Sequence, residues 1–194
     1  AGIECEFKAL SGSYGAKAVQ PQDVPSDEQI IQVWKGIPSD EWKWAIGIIA
    51  TFGIRPSELT HCQIDEAGIL TVGDEGKTGG RRVWPLYPEW IKDFDLLNTK
   101  MPPISGANNT ALGSRVNQYL KRNGSPFSAK APRKSWSVRA ILLGVPIDLA
   151  AYQQGHSVKV HHEMYARWIT DETQQRAYDA IMNRPDRPKP PLID

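Results

Sequence analysis

Tyr165 stands nine residues after His156 in the stretch Gly155-His156-Ser157-Val158-Lys159-Val160-His161-His162-Glu163-Met164-Tyr165. Tyrosine is among the side chains able to form covalent intermediates, yet a tyrosine on a helix is usually a packing residue. A second stretch is Ala50-Thr51-Phe52-Gly53-Ile54-Arg55-Pro56-Ser57-Glu58-Leu59. Pro56 suits the first position of a helix, so Arg55 stands at a helix junction, from which a guanidinium can be aimed into a cleft. The competing reading is a surface pair between Arg55 and Glu58, worth little. Lys130, Arg133, Lys134 and Arg139 gather positive charge in a third stretch. A phosphate backbone asks for such a patch, and a solvated helix face shows it too. Lys77, in Lys77-Thr78-Gly79-Gly80, lies where glycines let a loop close on a substrate, or where a solvated turn lysine is ordinary.

The elements that must hold these residues follow from periodicity and punctuation. Ser26 with Gln29 forms a capping box, and Ile30, Val33, Trp34 and Ile37 give the helix one apolar face before Pro38 stops it. Ser39 caps a second helix, with Asp40 and Glu41 at the positive end of its dipole. Its buried stripe is Trp42, Ala45, Ile46, Ile49 and Ala50, and Gly53 ends it. Ile69–Val72 and Arg81–Leu86 read as strands around a turn at residues 73–76. Residues 88–97 and Asn108 or Asn109 to about Arg122 read as connecting helices without visible chemistry. After Thr170, Asp171 caps a last helix to about Met182, and residues 183–194 form a polar, proline-rich tail. Residues 1–25 carry linker chemistry in Ser11-Gly12-Ser13 and Pro21-Gln22-Asp23-Val24-Pro25.

Composition bounds the class. A chain of 194 residues, 40% hydrophobic and 23% charged, fits one globular domain with appendages. A net charge of +1 announces no nucleic-acid partner by itself, so such a partner would need a local patch. Cys5 and Cys62 provide no disulfide framework, which makes a reducing, cytoplasmic setting the default. No apolar run is long enough for a membrane span, and no signal peptide is visible. His156, His161 and His162 lack a zinc spacing and no cysteine joins them, so no metal and no other cofactor is expected. His161 and His162 are expected at the surface or near DNA.

Taken together and in order, these stretches resemble the catalytic domain of the tyrosine recombinase, or phage-integrase, family over about residues 26–170. The first arginine box of that family reads Thr/Phe-Gly-Leu/Ile-Arg-x-Ser-Glu-Leu, a lysine stands on a β-hairpin, His-x-x-Arg opens a later helix, and Gly-His precedes the tyrosine by the spacing seen here. Ala140-Ile141-Leu142-Leu143-Gly144-Val145-Pro146 also matches its turn between two helices. The resemblance implies a mainly α fold with a small antiparallel β-sheet, in which Arg55 and Arg133 grip the scissile phosphate and Glu58 steadies Arg55. Arg suits this role because its planar fork bonds two phosphate oxygens and keeps its charge. Tyr165 becomes the nucleophile, Lys77 the leaving-group acid, and His156 and Lys130 further donors. Lys130 departs from the usual histidine at its place. Lys134, Arg139, Arg81 and Arg82 are expected to touch double-stranded DNA. The implied partners are DNA and further copies of the protein, as a tetramer on DNA, with no membrane. The organisation expected is a linker from an N-terminal DNA-clamping domain over 1–25, the catalytic domain over 26–182 and the tail over 183–194. The competing functions are type IB topoisomerase-like relaxation, a decayed DNA-binding homologue, and a helical interaction domain.

Overall fold

A computed structural model describes residues 23–74 and 79–190. Lys77 and most of the expected linker (residues 1–22) lie outside the described residues. Helix α1 (Asp27–Gly36) begins as its sequence dictates: Ser26 Oγ accepts from Gln29 N, and Gln29 Oε1 accepts from Ser26 N. Helix α2 (Asp40–Phe52) is capped by Ser39 and ends at Gly53, whose φ of 62° is left-handed. Only glycine fits there, for a Cβ would stand 2.6 Å from Trp136 Cγ.

The burial of α2 exceeds the stripe expected for it. Trp44 through Phe52 are all buried, because the other elements wrap this helix on every side. Trp44 reaches the core and donates its Nε1–H to Leu96 O at 3.0 Å. Trp42 stays half-buried, with its ring stacked on Tyr119 at a centroid distance of 4.0 Å.

After α2, a 3-10 turn (Pro56–His61) leads into a three-stranded antiparallel sheet in the order β1 (Cys62–Ile64), β2 (Leu70–Val72), β3 (Arg81–Val83). Thr71 faces Gln63 on one side and Arg82 on the other. Strand β1 had no clear sequence signal. Strand β3 stops at Val83 rather than at Leu86, since Pro85 has no N–H for a ladder. Helix α3 covers only Glu89–Asp93 of the expected 88–97, because the chain turns at Asp95, where φ is 52°.

Helix α4 (Asn109–Arg122) is capped by Asn108. Helix α5 (Ala131–Leu142) packs across α2 and carries Trp136, with 0% exposure, into the core. Helices α6 (Ile147–Gln154) and α7 (Val158–Tyr165) follow, separated by Gly155 in the left-handed region at φ 61°. The cap of α8 (Asp171–Met182) is Thr170, one residue before the expected Asp171, because the Thr170 hydroxyl accepts from Thr173 N. Residues 23–25 pack against α5: Ser135 Oγ donates to Pro25 O at 2.7 Å, and Lys134 Nζ lies 3.7 Å from Asp23 Oδ2. Among the described residues no helix is long and apolar enough to cross a membrane.

Candidate active site

The Arg55 junction, strand β3, helix α5 and the α6–α7 turn all meet at the C-terminal end of α6. Arg55 Nη2 donates to Gly155 O at 2.8 Å, Arg81 Nε to Gln153 O at 2.7 Å, and Arg133 Nη2 to Gln154 O. Arg133 Nη1 also donates at 2.6 Å to the carbonyl of Gly53, the residue that caps α2. Helix ends leave such carbonyls unpaired and carry a partial negative charge, so they suit guanidinium groups. Arg55 and Arg133 therefore share one side of the domain, although they lie far apart in sequence.

Glu58 is the anion of this cluster and is 4% exposed. Its Oε1 accepts from Arg55 Nη1 at 2.8 Å and Arg81 Nη1 at 3.0 Å, and its Oε2 from Arg55 N at 2.8 Å and Arg81 Nη2 at 2.7 Å. Burial by itself would raise its pKa. The Arg81 hydrogen bonds and charge, the Arg55 backbone N–H and the Arg133 charge outweigh burial and hold it down at about 2. Three guanidinium groups face one carboxylate, and the excess positive charge is what an incoming phosphate neutralises. Arg55 is the member closest to solvent, with a side chain 29% exposed.

Arg133 is 6% exposed. Burial first, then Arg55, pushes its pKa down to about 9, so it stays a cation at neutral pH. Its Nη2 lies 2.9 Å from His156 Nε2. A guanidinium only donates, so Nε2 is assigned as the acceptor and the imidazole proton as carried by Nδ1. Nδ1 is buried without a partner among the described residues. Burial, then Arg133 and Arg55, holds the His156 pKa at about 3, which fixes the neutral ring.

Tyr165 is 1% exposed and points into the protein. Burial raises its pKa, while a hydrogen bond with Ser137 and the charge of Arg133 pull the other way. Trp168 packs against it at a ring distance of 5.8 Å. His161 is neither at the surface nor open to DNA: it is 1% exposed, its ring 5.0 Å from Tyr165 and 6.1 Å from His156. It occupies the position one helical turn before Tyr165, and that i, i+4 spacing was the signal to its place. His162 is exposed.

Two of the expected DNA contacts are corrected. Arg81 has a side chain only 2% exposed, because strand alternation turns it inward with Val83, and all its nitrogens are engaged. It fixes Glu58 rather than reaching DNA. Arg139 is 3% exposed, with Nη2 donating to Ala50 O at 2.7 Å, Nε 3.2 Å from Asp27 Oδ1, and its guanidinium 4.7 Å from the Trp90 ring centroid. It ties α5 to α1 and α2. Arg82 is exposed beside Asp65 and Trp84, Lys134 is partly exposed next to Asp23, and Lys130 is exposed at the start of α5, one turn before Arg133.

No protein-family model matches the chain. Excisase A of Nostoc sp. (strain PCC 7120 / SAG 25.82 / UTEX 2576) is 34% identical over 162 residues, covering 74% of this chain and 34% of that protein. Excisase C of the same organism is 32% identical over 177 residues, covering 82% of this chain and 34% of that protein. The chain thus spans about a third of the length of these curated relatives. Among solved structures, the XerA recombinase superposes with a TM-score of 0.56 over 86% of this chain and 67% of that one, at 16% identity, which is a likeness of fold.

Proposed function

Since the chain belongs to the tyrosine recombinase family as a catalytic domain, we propose that it breaks and rejoins double-stranded DNA at specific sites through Tyr165. The observation that carries this reading is the convergence of Arg55, Arg133 and His156 on the end of α6, which only Gly155, His156 and Ser157 separate from the helix that ends in Tyr165. A phosphodiester held there meets two guanidinium forks. Tyr165 attacks phosphorus, and the 5′-oxygen leaves with a proton, for which Lys77 is the expected source. Arg55 and Arg133 stabilise the added negative charge, and Lys130 adds a donor from the start of α5. Preorganised donors of this kind are each worth about 10²–10³ in rate, and positioning supplies most of the rest in phosphoryl transfer. The phosphotyrosine retains the bond energy, and a 5′-hydroxyl from a second strand reverses the step.

Tyr165 is 1% exposed, so on this reading α7 leaves its buried place before Tyr165 attacks a phosphate. The chemistry run between two sites on one DNA molecule would release the segment between them, which is the reaction that the relatives' name describes. Exchange between two duplexes needs four active sites, hence a tetramer on DNA. The test is a covalent adduct on nicked duplexes. Tyr165→Phe should abolish it while DNA binding stays within about twofold and stability within about 1 kcal/mol, the value of one lost hydrogen bond. An adduct that persists in this variant, or that maps to Tyr152, overturns the assignment.

A further inference from the structure

We propose that His161 takes the phenol proton of Tyr165 as the tyrosine attacks; the inference rests on the recombinase reading above. The need for such a group follows from the inventory of the site. Arg55 and Arg133 have only N–H groups to offer, and a protonated lysine at position 130 has no lone pair, where the family commonly has a histidine. The His156 Nε2 lone pair is occupied by Arg133. Ser137 bonds the Tyr165 hydroxyl, yet a neutral hydroxyl is no base at neutral pH.

His161 has what the others lack. It is 1% exposed, and neither ring nitrogen has a hydrogen-bond partner among the described residues. A buried polar group without a partner is destabilising, and a function elsewhere in the reaction accounts for its retention. It lines an apolar cleft of about 170 Å³ together with Tyr165, Ile141, Val145, Ile169 and Ala177. Position within the helix matters most. Ser137 belongs to α5 and is left behind when α7 moves, whereas His161 and Tyr165 share α7 and travel together, their rings 5.0 Å apart.

The charged and titratable groups that face His161 or its cleft are Arg133 from α5, His156 from the α6–α7 turn, and Tyr165 and His162 on its own helix. From α8 the cleft receives Thr173, Gln174 and Ala177, none of them charged. Burial, then Arg133, lowers its pKa to about 4, so the ring is neutral and its lone pair open at pH 7. Both causes relax when α7 leaves the cleft and a phosphate neutralises Arg133, which strengthens the base when it is needed. In the step, the Tyr165 oxygen–phosphorus bond forms while the phosphorus–5′-oxygen bond breaks. The phenol proton goes to an imidazole nitrogen of His161, and the 5′-oxygen takes a proton from the separate acid. Both protons return on rejoining.

The experiment uses the protein in its natural full length and a pool of nicked duplexes of randomised sequence, from which covalent adducts are captured to yield one substrate. Single-turnover cleavage is then followed from pH 6 to pH 10 for the parent, His161→Leu and His161→Gln. General-base catalysis typically contributes about 10²–10⁴-fold, so both variants should be slower by about 10²-fold or more at pH 7. The deficit should shrink as hydroxide takes over towards pH 10. Leucine suits the apolar cleft, so His161→Leu should melt no lower than the parent. Should it unfold instead, His161→Ala with added imidazole decides: recovered cleavage supports the role and no recovery overturns it. Cleavage by His161→Leu within about threefold of the parent overturns it, and so does a deficit that is the same at every pH, the mark of a purely positioning residue. Failure of the parent to form any adduct counts against the recombinase reading itself.

Discussion

Replacing Glu58 by glutamine removes one negative charge from between Arg55 and Arg81 while keeping the side chain's shape. The fall of the Glu58 pKa from 4.5 to about 2 corresponds to roughly 3 kcal/mol of stability at neutral pH, at about 1.4 kcal/mol per tenfold change. The folded value lies below the ordinary one, so this stability is fully present above about pH 4.5 and is lost as pH falls through about 2. Glu58→Gln should therefore cost roughly 3 kcal/mol in urea unfolding at pH 7 and about half of that at pH 3. In a domain of this size that lowers the melting temperature by about 6–12 °C. Cleavage should fall as well, because Arg55 loses its anchor. The double variant Glu58→Met with Arg81→Met separates the two effects. Replacing both partners of a buried pair by apolar groups is often near neutral, so stability should return towards the parent while cleavage stays low. A loss below about 1 kcal/mol at pH 7, or one that does not shrink at pH 3, refutes the buried-anchor account.

Lys130→Ala should slow single-turnover cleavage by at least about tenfold, the low side of a charge-donor deletion. Lys130→His should keep part of the rate but lose it above neutral pH, where an imidazole gives up its charge; equal rates for Lys130→Ala and the parent would make this a surface lysine. Gly53→Ala meets both a left-handed φ and Trp136 Cγ at 2.6 Å. It should destabilise the fold by about 2–4 kcal/mol, and a thermal midpoint close to the parent's would show that the α2–α5 contact can relax.

Local chemistry carried a great deal of this fold. Ser26, Ser39 and Asn108 each open a helix where their side chains accept the first backbone N–H groups, and the last cap falls at Thr170, one residue from the expected Asp171. These signals are read within four residues and need no tertiary knowledge. The sequence also held the order of the boxes, and the arginines they contain meet in space. Burial from afar was harder to read. Arg81 and Arg82 are adjacent and identical in type, yet one is buried and one exposed. Alternation with Val83 contains the distinction, provided the strand's inner face is known. Arg139 follows Trp136 and Ser135 by three and four residues, so it shares their buried face, but a charged residue there looks like surface until Asp27 and Trp90 arrive from other elements. His161 looks like surface for the same reason, until its helix packs and buries it beside Tyr165. The extent of α2's burial depends on every layer around it, and no period within thirteen residues can report that.

The last turn of α6 has a mechanical meaning. Its final carbonyls, with that of Gly155, are pinned by Arg81, Arg133 and Arg55, which belong to a strand, a helix and a loop. Three fastenings from three directions fix a point against both translation and twist. The next residue, His156, is held as well, its N–H donating to Ala151 O and its Nε2 2.9 Å from Arg133, and α7 starts two residues later. The chain is thus divided into an anchored post, which turns at the left-handed Gly155 and ends at His156, and a short arm that begins at Ser157. Rotation of the arm beyond His156 leaves the partners of the three guanidinium groups in place. The reach of the arm is set by the eight residues of α7, about 12 Å at 1.5 Å per residue.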